Sequence, residues 1–331
     1  MDRRDFLALA GGACVAWPGV FWPGVAWAQQ PSPLIGFMST RAPGDSTHLV
    51  AAFRRGLEEG GFTEGRNVRV EYRWGGGDYT RMAALAAELV SMKVSVLVAV
   101  GGDRSVEAAK DATATIPIVF GSGSDPVASG LVASINRPGG NITGVNVLTN
   151  QMETKRLGLL HELVPQAKLV GVLTNPKIPS SARQISEIEK AAREIGKDVI
   201  VANISNDAEM ADAFASMPGK NLHALLVTAD PYFDTRRQQI IAFAAQQKLP
   251  AMYQFREYAA AGGLVSYGIN LIEGYRHFGI YAAKILKGEK PGDLPVQQVD
   301  RFELVINLKT AKAIGFEFPP TFSARADEVI E

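Results

Sequence analysis

Three aspartates directly follow short apolar runs: Asp103 in "VLVAVGGD", Asp125 in "IPIVFGSGSD" and Asp230 in "LLVTAD". Carboxylates at strand ends can do two kinds of work. As a close pair they exchange protons with a substrate; spread around a cleft they hold an ammonium group. Nothing in the chain completes the first arrangement. There is no G-x-S-x-G, no S-x-x-K with its companion motifs, and the single cysteine, Cys14, lies near the N-terminus. His48, His161, His223 and His277 lack H-x-x-x-H spacing, so no metal site is expected. The residues point to binding without turnover and without a cofactor.

The loop after "IPIVF" invites a second chemistry, phosphate binding, and fails its test. A Walker loop needs a lysine after its glycines, and none follows Gly121 or Gly123. A dinucleotide fingerprint needs a third glycine where Pro126 stands. The glycines let the backbone turn, Asp125 is placed to cap a short helix opened by Pro126, and Ser122 and Ser124 with nearby amides suit a carboxylate as well as a phosphate. A cap and turn with no ligand role is the competing reading.

Other strand ends carry groups suited to a small polar solute with an apolar body. Ser39 and Thr40 follow the first apolar run, Gly101 and Gly102 precede Asp103, and Asn175 mirrors Ser39 and Thr40 in the second half. Tyr232, Tyr253, Gln254 and Tyr267 come from later edges, and a tyrosine offers a flat face and a hydroxyl together. Tyr267 has packing between lobes as its alternative. Asp78 in "GGGDY" reads as a cap.

These residues need a scaffold that brings strand ends together. Strands are expected at Leu34–Ser39, Val68–Tyr72, Val94–Val100, Ile116–Phe120 and Ile142–Leu148, then at Leu169–Thr174, Val199–Ile204, Ala224–Thr228, Ala251–Gln254 and Leu264–Tyr267. Helical patterns such as His48–Glu59, Arg81–Ser91 and Ser105–Ala112 fill the gaps. Continuous apolar strands alternating with helices predict parallel sheets covered on both faces. The halves echo each other at an offset of roughly 130 residues, as in "LIGFMST" with "LVGVLTN" and "SGLVAS" with "GGLVSY". The expected class is therefore α/β, two doubly wound parallel-sheet lobes joined by a multi-strand hinge. One lobe is expected to hold residues 32–148 with about 271–295, the other 149–270 with about 300–331. Such sheets bind ligands outside the carboxyl ends of their strands.

The 331 residues include 34 basic and 34 acidic side chains, and zero net charge argues against a general affinity for nucleic acid or anionic membranes. The N-terminus reads as an export signal. It has the pair Arg3-Arg4, then Phe6 and Leu7, a short apolar run, and Ala26 and Ala28 at an A-x-A exit. Paired arginines point to the twin-arginine route and to a bacterial periplasm, with cleavage after Ala28. Pro18 and Pro23 interrupt the alternative, a membrane anchor, and Gly11 disfavours a lipoprotein at Cys14. The mature chain would contain no cysteine.

Two long stretches carry a resemblance. "IPIVFGSGSDPVASGLVASINRPGGNITG" and "LPAMYQFREYAAAGGLVSYGINLIEGYRHFGIYAAKILKGEKPGDLPVQQVDRFELVINLKTAKAIG" resemble the substrate-binding proteins of ABC transporters that include tryptophan- and tyrosine-binding members. The resemblance covers Leu34 to Glu331. It implies a periplasmic, hinged, two-lobed monomer that closes on a small-molecule ligand and docks on an inner-membrane permease. It also implies ligand contacts from strand-end loops, which here hold Ser39, Thr40, Gly102, Asp103, Ser122, Asp125, Asn175, Asp230 and Tyr253. One loop departs from the pattern: relatives are often richer there in small Thr or Pro residues, whereas this chain has "GGDRS". Asp103 and Arg104 would suit a zwitterion, or form a surface ion pair. Sensing for a membrane receptor and a two-domain α/β enzyme are the alternative functions.

Overall fold

β-Branched and leucine-rich runs, each three to six residues long, form the central strands of the sheets. The structure is a computed structural model and describes residues 32–149, 152–299 and 301–331. The expected signal, including Arg3, Arg4, Cys14 and the cleavage position Ala28, lies outside the described residues.

The first half gives β1 (Leu34–Ser39), α1 (Thr47–Glu59), β2 (Arg69–Trp74), α2 (Met82–Ser91), β3 (Val96–Val100), α3 (Asp103–Ala112), β4 (Ile118–Ser122) and β5 (Ile142–Asn146). The second gives α4 (Glu153–Leu163), β6 (Leu169–Thr174), α5 (Ser181–Glu194), β7 (Asp198–Asn203), α6 (Asp207–Ser216), β8 (Ala224–Val227), α7 (Pro231–Thr235), α8 (Arg237–Gln246), β9 (Ala251–Tyr253), α9 (Arg256–Ala260) and β10 (Val265–Ile269). The chain continues through α10 (Leu271–Leu286), β11 (Gln297–Gln298), β12 (Phe302–Asn307), α11 (Leu308–Ile314), α12 (Pro320–Ser323) and β13 (Glu328–Ile330).

Two sheets result, six-stranded β11-β5-β4-β3-β1-β2 and seven-stranded β13-β12-β10-β9-β8-β6-β7. Their first five strands share one order, 2-1-3-4-5, and all pair in parallel. The order reverses between β1 and β3 in one sheet and between β6 and β8 in the other, so each has its switch point there. After these repeats the sheets part company: β11 runs parallel to β5, whereas β12 runs antiparallel to β10. Among the described elements the chain passes between sheets three times, after β5, β10 and β11.

Glycines fasten α10 to the first sheet's layer. A Cβ on Gly56 would stand 1.9 Å from the Arg276 carbonyl oxygen, and one on Gly279 would stand 2.1 Å from that of Phe53. α1 and α10 therefore cross at backbone contact, and α10 brings Tyr275 and Phe278 under the strand ends. No helix among the described residues is long and apolar enough to cross a membrane.

Two local expectations change. β4 runs on through Gly121 and Ser122, because β5 offers a ladder to Val145 and Asn146 and because the Phe278 ring fills the place of a Gly121 side chain. Neighbours outweigh the low strand propensity of these residues. The helix expected after Pro126 is a series of turns. One helical turn closes, Ser129 N–H to the Asp125 carbonyl, and Gly130 at φ +69° then ends it.

Candidate functional site

Loops from the carboxyl ends of both sheets enclose one cavity, with about 720 Å3 of empty space including its mouth. The first sheet contributes Thr40 and Arg41 after β1, Gly101 to Arg104 after β3, Gly121 and Gly123 at β4, and Val147 and Thr149 after β5. The second contributes Ile178 after β6, Ala229 to Pro231 and Asp234 after β8, and Phe255 after β9, while α10 supplies Leu271, Gly274, Tyr275 and Phe278. Apolar and aromatic walls with few polar groups suit a solute with an apolar body and a polar end.

Asp230 is one of two buried carboxyls that line this cavity, 1% exposed. It caps α7 by accepting from the Tyr232 N–H at 2.8 Å, and Asn175 Nδ2 reaches the same oxygen at 3.3 Å. Its other oxygen accepts from the Tyr79 hydroxyl at 2.6 Å, a contact from the opposite sheet's layer. Burial pushes its pKa up, the bonds from Tyr79 and Asn175 pull it back, Asp234 pushes it further, and it settles at about 7. Burial, with Asp230 beside it, holds the Tyr79 hydroxyl protonated well above the usual tyrosine range.

Beside it lies a second cross-sheet contact. Arg41 reaches Asp234 at 2.5 Å, both side chains almost fully buried, and its guanidinium covers the Phe255 ring at 5.5 Å. Gln254 Nε2 donates to the other Asp234 oxygen at 2.8 Å. Burial works against both charges; Asp234 nevertheless holds Arg41 protonated, and Arg41 offsets part of the upward push on Asp234.

Asp103 has a different setting. Ser122 Oγ at 2.8 Å, Gly123 N at 3.2 Å and Ser124 Oγ at 2.5 Å all donate to it, so its charge is engaged by the neighbouring loop. Arg104 is not its partner: that side chain bonds the Lys177 carbonyl at 3.0 and 2.8 Å and pairs with Glu107 at 2.9 Å. It spans the cleft as a strap.

Of the residues expected from sequence, Thr40, Gly102, Asp103, Arg104 and Asp230 line the cavity. Ser39 lies just behind, accepting from Arg41 N–H at 3.2 Å, and Asn175 supports Asp230. Ser122 and Asp125 face an outer crevice, where Asp125 caps its turn through the N–H groups of Val127 and Ala128. The three tyrosines do not line the cavity. Tyr232 sends its hydroxyl to Asp207 at 2.8 Å under Arg236, Tyr253 stacks on Tyr258 in the core, and Tyr267 stacks on Phe302. Side chains alternate across a strand, so a residue at a strand's end faces the cleft or the core according to register.

The residues missed are Arg41, Tyr79, Asp234, Phe255, Tyr275 and Phe278. Arg41 directly follows Thr40 and Tyr79 ends "GGGDY", so both were adjacent to residues singled out. Tyr275 and Phe278 read as the core stripe of an amphipathic helix, and no periodicity separates a core ring from a cavity ring.

Two sheets of one topology with facing carboxyl edges define a two-lobed α/β solute-binding protein. Residues 43–330 match the model of the ABC transporter substrate binding protein family, and the chain belongs to that family. It is 30% identical over 266 residues to a tyrosine-binding protein of Clostridioides difficile strain R20291, covering 80% of this chain and 76% of that one. The fold matches a Streptococcus pneumonia ABC domain in complex with L-Trp, with TM-score 0.80 and 24% identity, over 90% of this chain and all of that one. The ligand-free, open structure of a Clostridium difficile substrate binding protein is 27% identical, over 90% and 99% of the two chains, with a TM-score of 0.62. Arg41, Tyr79 and Arg104 all bond across the cleft.

Proposed function

We propose that this protein is the substrate receptor of an ABC importer, holding a small amine-bearing solute, an amino acid or an aromatic or carboxylate-bearing metabolite, between its sheets. The observation that carries this reading is Asp230. It is buried at a switch point, with a pKa near neutrality, and it faces aromatic and aliphatic walls. A ligand ammonium arriving there stabilises the carboxylate, and an apolar body fits against Tyr275 and Phe278. In this reading the chain enters the periplasm by the twin-arginine route. Its sheets swing about the three crossings, and the closed form delivers the solute to the permease.

A thermal-shift screen of refolded, ligand-stripped protein against amino acids, aromatic acids, short peptides and purines tests it. A ligand at ~100 times its Kd adds about 2.7 kcal/mol of stability. A hit recovered unchanged after incubation supports a receptor. A hit recovered as a different compound overturns the binding role in favour of an enzyme.

A further inference from the structure

Two buried charges behind the cavity are not used by the binding role. Glu153 and Arg156 stand one turn apart at the start of α4, 2% and 0% exposed. Glu153 Oε1 accepts from the N–H of Ala229, the residue before Asp230, at 2.9 Å. Arg156 Nη1 meets the same oxygen at 2.9 Å. The guanidinium then reaches two carbonyls, Tyr267 from Nε at 2.7 Å and Thr149 from Nη1 at 3.3 Å. Thr149 lies where the chain leaves β5 for the second sheet, and Tyr267 belongs to β10, whose end precedes the next crossing. One ion pair therefore ties the Asp230 loop to the segments flanking two of the three crossings.

Stability alone does not account for this pair. A buried ion pair recovers its desolvation only when its remaining atoms are also satisfied. Here Glu153 Oε2 and Arg156 Nη2 have no hydrogen-bond partner among the described residues. Burial pushes the Glu153 carboxyl up, against the opposing pull of Arg156 and the Ala229 N–H. Apolar side chains of similar size would fill the space without that cost. They would not hold three backbone segments through directed bonds.

We propose that Glu153 and Arg156 are positioning residues, a buried strut that keeps the Asp230 loop fixed to the crossing segments and so holds Asp230 in line with Tyr79. The strut's value to the protein rests on the function proposed above, but its existence is tested without any ligand. Hydrogen–deuterium exchange on the ligand-free full chain is the measurement. Either single charge removal strands its partner, so the decisive variant is Glu153→Leu with Arg156→Met, which removes both. Exchange is expected to rise together by ~10-fold or more in segments 227–232, 147–149 and 267–271, with the centre of β6 unchanged. A rise confined to Ala229, whose acceptor is gone, overturns the proposal, as does a uniform rise across the second sheet. Should the double variant not fold, Glu153→Gln keeps an acceptor for Ala229 and removes the charge. A smaller rise in the same three segments supports the strut, and unchanged exchange there overturns it. Failure of every candidate ligand in the thermal-shift screen would count against the receptor role and leave this result standing.

Discussion

Asp103 and Asp230 occupy equivalent places, each just beyond the third strand of its sheet's 2-1-3-4-5 order. Each accepts bonds from side-chain and backbone donors, but the settings differ. Asp103 is partly exposed and held by two serine hydroxyls and an amide of the next loop. Asp230 is buried, and one of its donors, Tyr79, comes from the opposite sheet's layer. Burial raises Asp230 to about 7. Topology brings a carboxylate to the cleft; the loops around it decide how deeply it is buried and whether its donors come from one sheet's loops or from both.

The largest effect expected from this contrast is on affinity. Asp230→Ala should weaken binding of an amine-bearing ligand by ~100-fold, about 2.7 kcal/mol, and should also cost about 1–3 kcal/mol of apo stability, because Tyr79, Asn175 and the Tyr232 N–H lose their acceptor. Asp103→Ala should cost stability on a similar scale, about 1–3 kcal/mol, by leaving serine and amide donors unsatisfied, while affinity changes little. Calorimetric titration and urea unfolding of both variants check this, and equal affinity losses would break the comparison. Of similar size is the cost of Arg41→Met, about 3 kcal/mol, because Asp234 is left buried and unpaired. Arg41→Met with Asp234→Leu should recover most of it in the same unfolding assay.

A smaller effect depends on pH. Ligand ammonium needs Asp230 ionised, so affinity should fall about tenfold between pH 8 and pH 6, and Asp230→Asn should abolish the slope. Stability of the ligand-free chain runs the other way. The folded state keeps the Asp230 proton up to about 7, whereas the ordinary value is 3.8. This group's contribution is therefore complete below about pH 4 and is lost as pH rises through 7. Melting curves from pH 5 to 8 should show that fall flattened in Asp230→Asn. Smallest of all, His48→Ala removes a half-exposed contact with Glu257 at 2.9 Å and should change stability by less than about 0.5 kcal/mol. A larger loss would mean that the cleft is held shut by its rim rather than by Arg41 and Tyr79.

Much of the scaffold was legible in the residues. Leu34–Ser39 and Leu169–Thr174 are strands with the expected bounds, since continuous apolar runs flanked by turn residues have few other ways to bury themselves. The internal echo anticipated two sheets of one order. The site was legible only where backbone position was enough. Asp230, Asp103, Thr40 and Gly102 reach the cavity because they stand just after strands that end there. Tyr253 and Tyr267 also belong to strand ends, yet their rings turn into packing with Tyr258 and Phe302.

The alternation of strand and helix, the repeated half, the glycine turns and the strand-end acids are local or periodic properties of the chain and can be read from its residues. Folding alone settles that Asp230 is buried while Asp103 is partly exposed, that Arg41 reaches Asp234 and Tyr79 reaches Asp230 across the cleft, and that α10 returns two rings to the first sheet. Those outcomes join residues more than a hundred positions apart. They depend on how the two sheets face each other, and no local pattern encodes that.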